Sequence, residues 1–475
     1  MPIPTPKRVR YFLTFLTLLL FVACNVYRPL AEVSVPDNTW KTRQLPASPQ
    51  DTTGDPVAGF DFLVHGDYIG SGVPLEIMQQ AAPKMPQDRP FPRNELNEGI
   101  PYFMTAFTAP NGAKIANGNC FTCHGGRVND ELILGLGDSF SDYESSMVFM
   151  GTMMRFGMGV KYNKKKNLQP AAFTDFSNYF RRMAPKVKTT QPGSNPAFRL
   201  AEACMMHRNP DDLTYVDKPL YDMWDYNIAT DTPPLWHVKK KHTLYYNGIG
   251  RGSMPKLLLQ ASVLGTPDSS HSRKSVEGFK DVYAWLLSLE APPYPKVIDQ
   301  QLARAGKPLF NEHCSGCHGT YGPEGDTYPN KVVNLNVIKT DRLYADYINQ
   351  SGIIDWYNSS WFATSTPRSR FEPTAGYVAP PLDGIWASAP YFHNGSVPTV
   401  YQVLNSKTRP NRWTRTGEST DYDWKRLGWN YDPAPKNKKW TFDTSVPAYG
   451  NDGHYFGDNL SEEARWAVVE YLKTL

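Results

Sequence analysis

Two pentapeptides constrain this chain more than any other feature: Cys120-Phe121-Thr122-Cys123-His124 and Cys314-Ser315-Gly316-Cys317-His318, each followed by glycine. Cys-x-x-Cys-His is an attachment sequence for c-type haem. Its two thiols add across the haem vinyl groups, and the adjoining histidine is placed to be the proximal iron ligand. A bare Cys-x-x-Cys would also serve as a redox pair or as half of a zinc site. Two copies that both carry the histidine, with no further cysteine pair among the six cysteines, favour haem. The expectation is two covalently bound haem c groups. Cys120, Cys123, Cys314 and Cys317 would hold them, with His124 and His318 on the irons. Cys204 is left over and reads as a buried free thiol.

The surroundings of the two motifs are similar. Ala303 to His313 is a short amphipathic helix leading into the second attachment turn. Phe279, Val282, Tyr283, Leu286 and Leu289 recur at helical spacing until Pro292-Pro293 stops the run. Another such helix closes the chain, with Ser461 as N-cap, Glu462 and Glu463 in the first turn and apolar residues on to Leu475. Haem motif, irregular middle and closing helix thus occur twice. The predicted fold is mainly α: two cytochrome c-like haem domains in tandem, 59–295 and 296–475, with long irregular insertions. Residues 160–220 and 405–450 show little sustained period and exceed ordinary loop length. Met147, Met150, Met154 and Met158 fall on one helical face and read as core rather than as an iron ligand.

Lys7, Arg8 and Arg10 precede an apolar run from Tyr11 to Ala23, which describes a secretory signal over residues 1–23. The run is too short for a bilayer span of about 20 residues, and Asn25 and Arg28 interrupt it. Leu20-Phe21-Val22-Ala23-Cys24 looks like a bacterial lipobox, which implies cleavage before Cys24 and lipid on its thiol. Residues 24–58, with Pro at 29, 36, 46, 49 and 56, then form a tether. The expected location is the periplasmic face of a bacterial membrane, anchored by lipid. Hydrophobic residues at 40% and charged ones at 20% describe a globular protein. A net charge of +4 without a basic stripe gives no reason to expect nucleic acid. With 35 Gly and 41 Pro, much of the chain should be turn-rich connection.

The far side of each iron is the next question. For the second haem the candidates are His454 and His393. His454 lies in the loop before the closing helix, which in a cytochrome c architecture passes over the distal haem face, and it is preferred. His393 could instead bond a haem propionate or fix its loop. Two imidazoles would close that iron to substrates, which suits electron storage or transfer. At the first haem no sixth ligand is forced. His271 precedes its own closing helix as His454 does, and His207, His237 and His242 are also available. The alternative is an open site under Trp236, Tyr245 and Tyr246, aromatics that could equally be core. Arg251 could pair with a propionate or lie in solvent.

The segment Ala389 to Leu404, preceded by Pro380-Pro381-Leu382-Asp383-Gly384-Ile385-Trp386, is similar to a signature of bacterial di-haem peroxidase-like proteins. That group includes the di-haem cytochrome c peroxidases, the di-haem enzyme of methylamine utilisation and the rubber oxygenases. His65-Gly66-Asp67-Tyr68, the segment Pro233 to Gly252, and Gly453 to Gly457 resemble the rubber-oxygenase branch. The resemblance implies that the N-terminal haem, on His124, binds dioxygen in an apolar, aromatic-lined pocket, while His318 and His454 hold the second. The function expected is a di-haem oxidoreductase, foremost a dioxygenase acting on an apolar unsaturated lipid or isoprenoid. A peroxidase reducing hydrogen peroxide, or an electron carrier serving a periplasmic partner, are the other readings. A peroxidase needs a distal acid/base, and the sequence identifies none near the first haem.

Overall fold

The computed structural model describes residues 40–109, 111–144, 169–187, 189–224, 226, 228, 230–433 and 439–475. The expected signal, Cys24 and the Met147–Met158 stretch lie outside the described residues. Four helices frame the two motifs: α1 (Pro56–His65), α2 (Ser269–Ser288), α3 (Gln300–His313) and α4 (Glu462–Leu472). Each begins where a short polar side chain replaces the missing intrahelical acceptor. Asp55, Asp268, Asp299 and Ser461 take backbone N–H groups of the first turn, an arrangement worth about 1 kcal/mol per cap.

Helix α1 packs on α2, and α3 packs on α4. Each crossing is made at a glycine. Gly59 lies against the Asp281 backbone and Gly306 against the Ala467 carbonyl, so closely that a Cβ at either would collide. Only a residue without a side chain lets two backbones approach this far. The apolar faces of α2 and α4, including Phe279, Val282, Val468 and Leu472, are thereby driven into the interior.

The expectation of a mainly α chain with two tandem haem domains is overturned. The fold is 36% helical and 15% strand, a mixed α/β architecture with several small sheets. Lys331–Asn334 is the centre of a three-stranded antiparallel sheet between Thr42–Gln44 and Gly376–Val378, with Val333 opposite both Thr42 and Tyr377. Gly250–Gly252 pairs with Ser369–Phe371. Lys114–Gly118 lies between Val73–Pro74 and Met104–Thr108. In the segment read as an insertion after residue 405, Arg412–Thr414 pairs with both Asp432–Pro433 and Thr441–Asp443. Trp413 stacks there on Phe442 at 5.3 Å. The described part of 160–220 holds two helices, Gln169–Met183 and Ala197–Met205.

The core is correspondingly interleaved. Its largest cluster joins Leu63, Tyr68 and Phe279 to Tyr344, Ile348 and Phe371. The second joins Leu136 and Trp236 to Phe310, Trp386 and Val468. The strands escape a pattern search because they are two to five residues long, too short to display a period of two. Some, such as Thr42–Gln44 and Gly250–Gly252, also find their partners more than a hundred residues away, where no local signal announces them.

Candidate haem site

Helix α3 delivers the second motif. Cys314 caps it, donating its backbone N–H to the Phe310 carbonyl at 2.8 Å, and the turn Ser315–His318 follows. A helical turn puts residues three and four apart on one side, which gathers Cys314, Cys317 and His318 around one cavity. Gly319, at φ +87°, turns the chain away where any Cβ would strike the Thr327 carbonyl. His318 Nδ1 donates to the Pro380 carbonyl at 2.8 Å. That bond fixes the tautomer and leaves Nε2 as the free lone pair. Tyr321 braces the same contact, donating to the His318 carbonyl at 3.1 Å and accepting from the Leu382 N–H at 2.7 Å.

His454 stands across from His318. It adopts the left-handed conformation (φ 48°, ψ 53°). Its neighbour Gly453 presses on the Thr340 backbone where a side chain would not fit. The two imidazole centres are 6.2 Å apart with their planes at 58°. Imidazole nitrogens sit about 2 Å from a bound metal, so two rings on opposite sides of one ion have centres roughly 6 Å apart. The observed separation fits. Burial, with His318 and then Arg409 adding to it, pushes His454 down to about 3, and burial also lowers His318. Both shifts favour the neutral imidazole, the form that a metal ligand requires.

The cavity between them measures about 320 Å³ and is walled largely by apolar side chains such as Val333, Leu382, Val400, Val403 and Leu472. Four buried polar atoms on its lining have no hydrogen-bond partner: Thr340 Oγ1, Ser388 Oγ, His393 Nε2 and His454 Nδ1. Orphaned polar atoms are rare in folded proteins and call for an explanation. The two carboxylates of a haem provide one, because each accepts such bonds. Asp231, on the same lining, does not oppose this, since burial holds its carboxyl well above the ordinary carboxylate range and favours the neutral acid. The residues present thus fit a covalently attached haem.

The first motif is built in parallel. Asn119 caps the turn Cys120–Thr122 by accepting the Phe121 N–H at 2.9 Å, and Phe121 is buried beside Phe60 and Trp285. The Cys123 carbonyl accepts from the Asp138 N–H and the His124 carbonyl from the Gly135 N–H, both at 2.8 Å. Burial pushes His124 down to about 4, and the Pro233 carbonyl acts in the opposite direction. His124 Nδ1 is buried without a completed hydrogen bond. Pro233-Pro234-Leu235 repeats Pro380-Pro381-Leu382 in sequence, and only the second copy completes its hydrogen bond to the motif's imidazole. Burial raises the thiols of Cys120 to about 11 and of Cys314 to about 12.

Residues 376–414 match the family described as RoxA-like, cytochrome c-like. This match supports covalently bound haem c and an oxidoreductase role. The RoxA-like segment supplies Tyr377, Pro380, Ser388 and His393 to the cavity. Two proteins of Sinorhizobium fredii (strain NBRC 101917 / NGR234) are also similar. The uncharacterized protein y4iM is 25% identical over 314 residues, covering 57% of this chain and 70% of that one. The uncharacterized protein y4iJ is 29% identical over 239 residues, covering 38% of this chain and 39% of its own length.

Within the RoxA-like segment, His393 is buried and stacked on Tyr377 at 4.2 Å, with Tyr344 and Tyr246 about its ring at 6.1 and 6.2 Å. Tyr246 therefore lines the cavity of the second motif. Tyr245 packs with Phe198 and Phe371 in the largest core cluster, and its hydroxyl meets Gln260. Trp236 is buried between the motifs. Its indole donates to the Asp383 carbonyl at 2.8 Å, and its ring lies by Gly135 on one side and Gly384 on the other. The structure does not gather Trp236, Tyr245 and Tyr246 into one wall. Arg251 is buried beside Glu372 at 3.5 Å.

Of the remaining histidines, His313 lines the cavity of the second motif and His65 meets Asp61 at 2.8 Å. His271 meets Thr266 Oγ1 at 3.1 Å and Asp67 at 3.3 Å. His207 donates to the Val216 carbonyl, His237 to that of Asp383 and His242 to that of Leu45. Cys204 is buried with its thiol pushed up to about 12. Sequence reasoning missed Asp231, Thr340, Ser388 and Arg409. The only signal that could have found any of them was the repeated Pro-Pro-Leu, which puts Asp231 two residues before one copy.

Proposed function

We propose that this chain is a di-haem c oxidoreductase with divided labour, exported and lipid-anchored through Cys24 at the periplasmic face of a bacterial membrane. The observation that carries the reading is the facing of His318 and His454 at 6.2 Å. An iron held from both sides has no open position for substrate, so the second motif stores or relays electrons. Reaction then belongs to the first motif, where His124 is the proximal ligand. There, haem iron supplies reversible dioxygen binding and one-electron chemistry.

The protein's own part is orientation and exclusion of water. Asn119, Phe121 and the Asp138 N–H hold the attachment turn, and Pro233 faces the imidazole of His124. Packing of Phe121 with Phe60, Phe91 and Trp285 keeps this region apolar, which favours an apolar unsaturated substrate over a charged one. Trp236 touches segments hydrogen-bonded to both motifs and is the side chain proposed to couple them. A periplasmic electron-transfer protein is the proposed partner of the second motif.

The test is oxygen uptake with an unsaturated lipid or isoprenoid and no added reductant, run beside hydrogen peroxide turnover with a reduced cytochrome donor. Alkene-dependent uptake is expected. Rapid peroxide reduction without it would make the protein a peroxidase. Neither activity, with a wholly low-spin spectrum, would make it an electron carrier.

A further inference from the structure

Arg409 lies outside the attachment motifs and is not on the cavity lining, yet its guanidinium joins the backbone that carries His454 to the turn beside it. Nε donates to the Gln402 carbonyl at 2.9 Å. Nη1 donates to the carbonyls of Asn451 and Gly453 at 2.8 and 2.6 Å. Nη2 donates to those of Val403 and His454 at 3.0 and 3.3 Å. Five carbonyls from two separate segments converge on one rigid fork with five donors. One segment is the end of the helical turn Val400–Val403, which walls the cavity. The other is the loop that presents His454.

Other bonds hold that loop at single points, the His454 N–H donating to the Ile338 carbonyl at 2.7 Å and Asn394 to that of Gly450 at 2.9 Å, whereas Arg409 ties the Asn451, Gly453 and His454 carbonyls together. His454 sits in the left-handed region, which costs a residue with a side chain energy that its surroundings must supply. The arginine also lies over the rings of Phe392, at 4.9 Å, and Tyr455, at 6.0 Å, and Phe392 in turn packs on the His454 ring at 6.0 Å. Among the described residues no carboxylate makes an ion pair with Arg409; Asp458 and Asp452 act on its charge from further away. Arg409 Nη2, 3.3 Å from the His454 carbonyl, puts that positive charge beside the residue's own backbone.

We infer that Arg409 is the positioning residue of the second iron's axial ligand. It clamps the His454 loop so that exogenous ligands are shut out, and its charge raises that iron's reduction potential by opposing the more positive oxidised state. The inference rests on the reading that His454 ligates iron.

The experiment uses the full-length ferric holoprotein. Low-spin bis-imidazole signal in the parent and its loss in His454→Ala establish the ligand; absence of that signal from the parent would sink the ligand reading itself. Given the ligand, cyanide is added and the decay of the bis-imidazole signal is timed. Arg409→Met should speed the decay by roughly tenfold or more, as expected when several charge-assisted hydrogen bonds are lost, and should lower the midpoint potential. Arg409→Lys keeps the charge but offers three donors to five carbonyls, so it should speed cyanide entry while moving the potential less. Variants with full covalent haem and parental far-UV circular dichroism that keep the parental cyanide rate would overturn the inference. If Arg409→Met does not accumulate, the cyanide rate of Arg409→Lys alone decides.

Discussion

Gly306 lies directly against the carbonyl of Ala467, leaving no room at the α3–α4 crossing for even a methyl group. Gly59 stands in the same relation to Asp281 at the α1–α2 crossing. Gly306→Ala should force the helices apart at the place that delivers Cys314 and His318. Overpacking of this kind typically costs about 1–3 kcal/mol. Thermal melting should show a lowered Tm, and haem staining a reduced covalent content. A variant with parental Tm would show that the helices can separate without cost.

His454→Ala should convert the second haem from low-spin to high-spin while covalent haem content stays unchanged. His393→Ala should leave that haem low-spin, because His393 is held by ring stacking on Tyr377 and lies with the hydroxyls that await carboxylates. The ferric visible spectrum and electron paramagnetic resonance distinguish the two variants. The reverse pattern would reassign the ligand to His393.

Haem number is read by mass. The full chain should carry two haem additions, and replacing Cys314 and Cys317 together by alanine should leave one. A parent with a single addition would restrict attachment to one motif.

Acid should destabilise the protein in a defined window. Burial pushes His237 and His393 from 6.5 down to about 3 in the folded state. Between those values the unfolded chain binds more protons than the folded one, so stability is complete above pH 6.5 and is lost as pH falls towards 3. Each group contributes up to a few kcal/mol, since every tenfold loss of proton affinity on folding corresponds to about 1.36 kcal/mol. Tm measured from pH 7 to pH 4 should fall, and fall less steeply in His393→Asn. An equal slope in that variant would mean that His393 is not buried neutral.

Release from the membrane tests the anchor. Cys24→Ser should move the protein from the membrane fraction to the soluble periplasm. Unchanged association would remove the lipid from the account.

What the sequence made legible was whatever is local. Cys-x-x-Cys-His is readable because both thiols and the imidazole must fall within one turn. The Ser461 cap is readable because it acts on a residue three positions away, accepting the Ala464 N–H. The strands were not readable, since Thr42–Gln44 finds its partner at Lys331–Asn334 and three residues show no period. Arg251 could not be placed because its partner Glu372 lies on a neighbouring strand segment remote in sequence. Arg409 offered no motif at all: its five acceptors are backbone carbonyls, which every residue has. Pro380 was quoted as part of a motif, but its role lies in a carbonyl 62 residues from the imidazole it receives.

The interleaved core has a consequence for assembly. Strand Thr42–Gln44 cannot be paired until Lys331–Asn334 exists, nor Gly250–Gly252 until Ser369–Phe371 does. A chain built this way must close long loops before its contacts reward it, which slows folding and leaves apolar surface uncovered meanwhile. Cys120 and Cys123 emerge well before the segments that complete the shared core. A haem joined to those thiols before the later segments pair would offer them an apolar surface on which to condense.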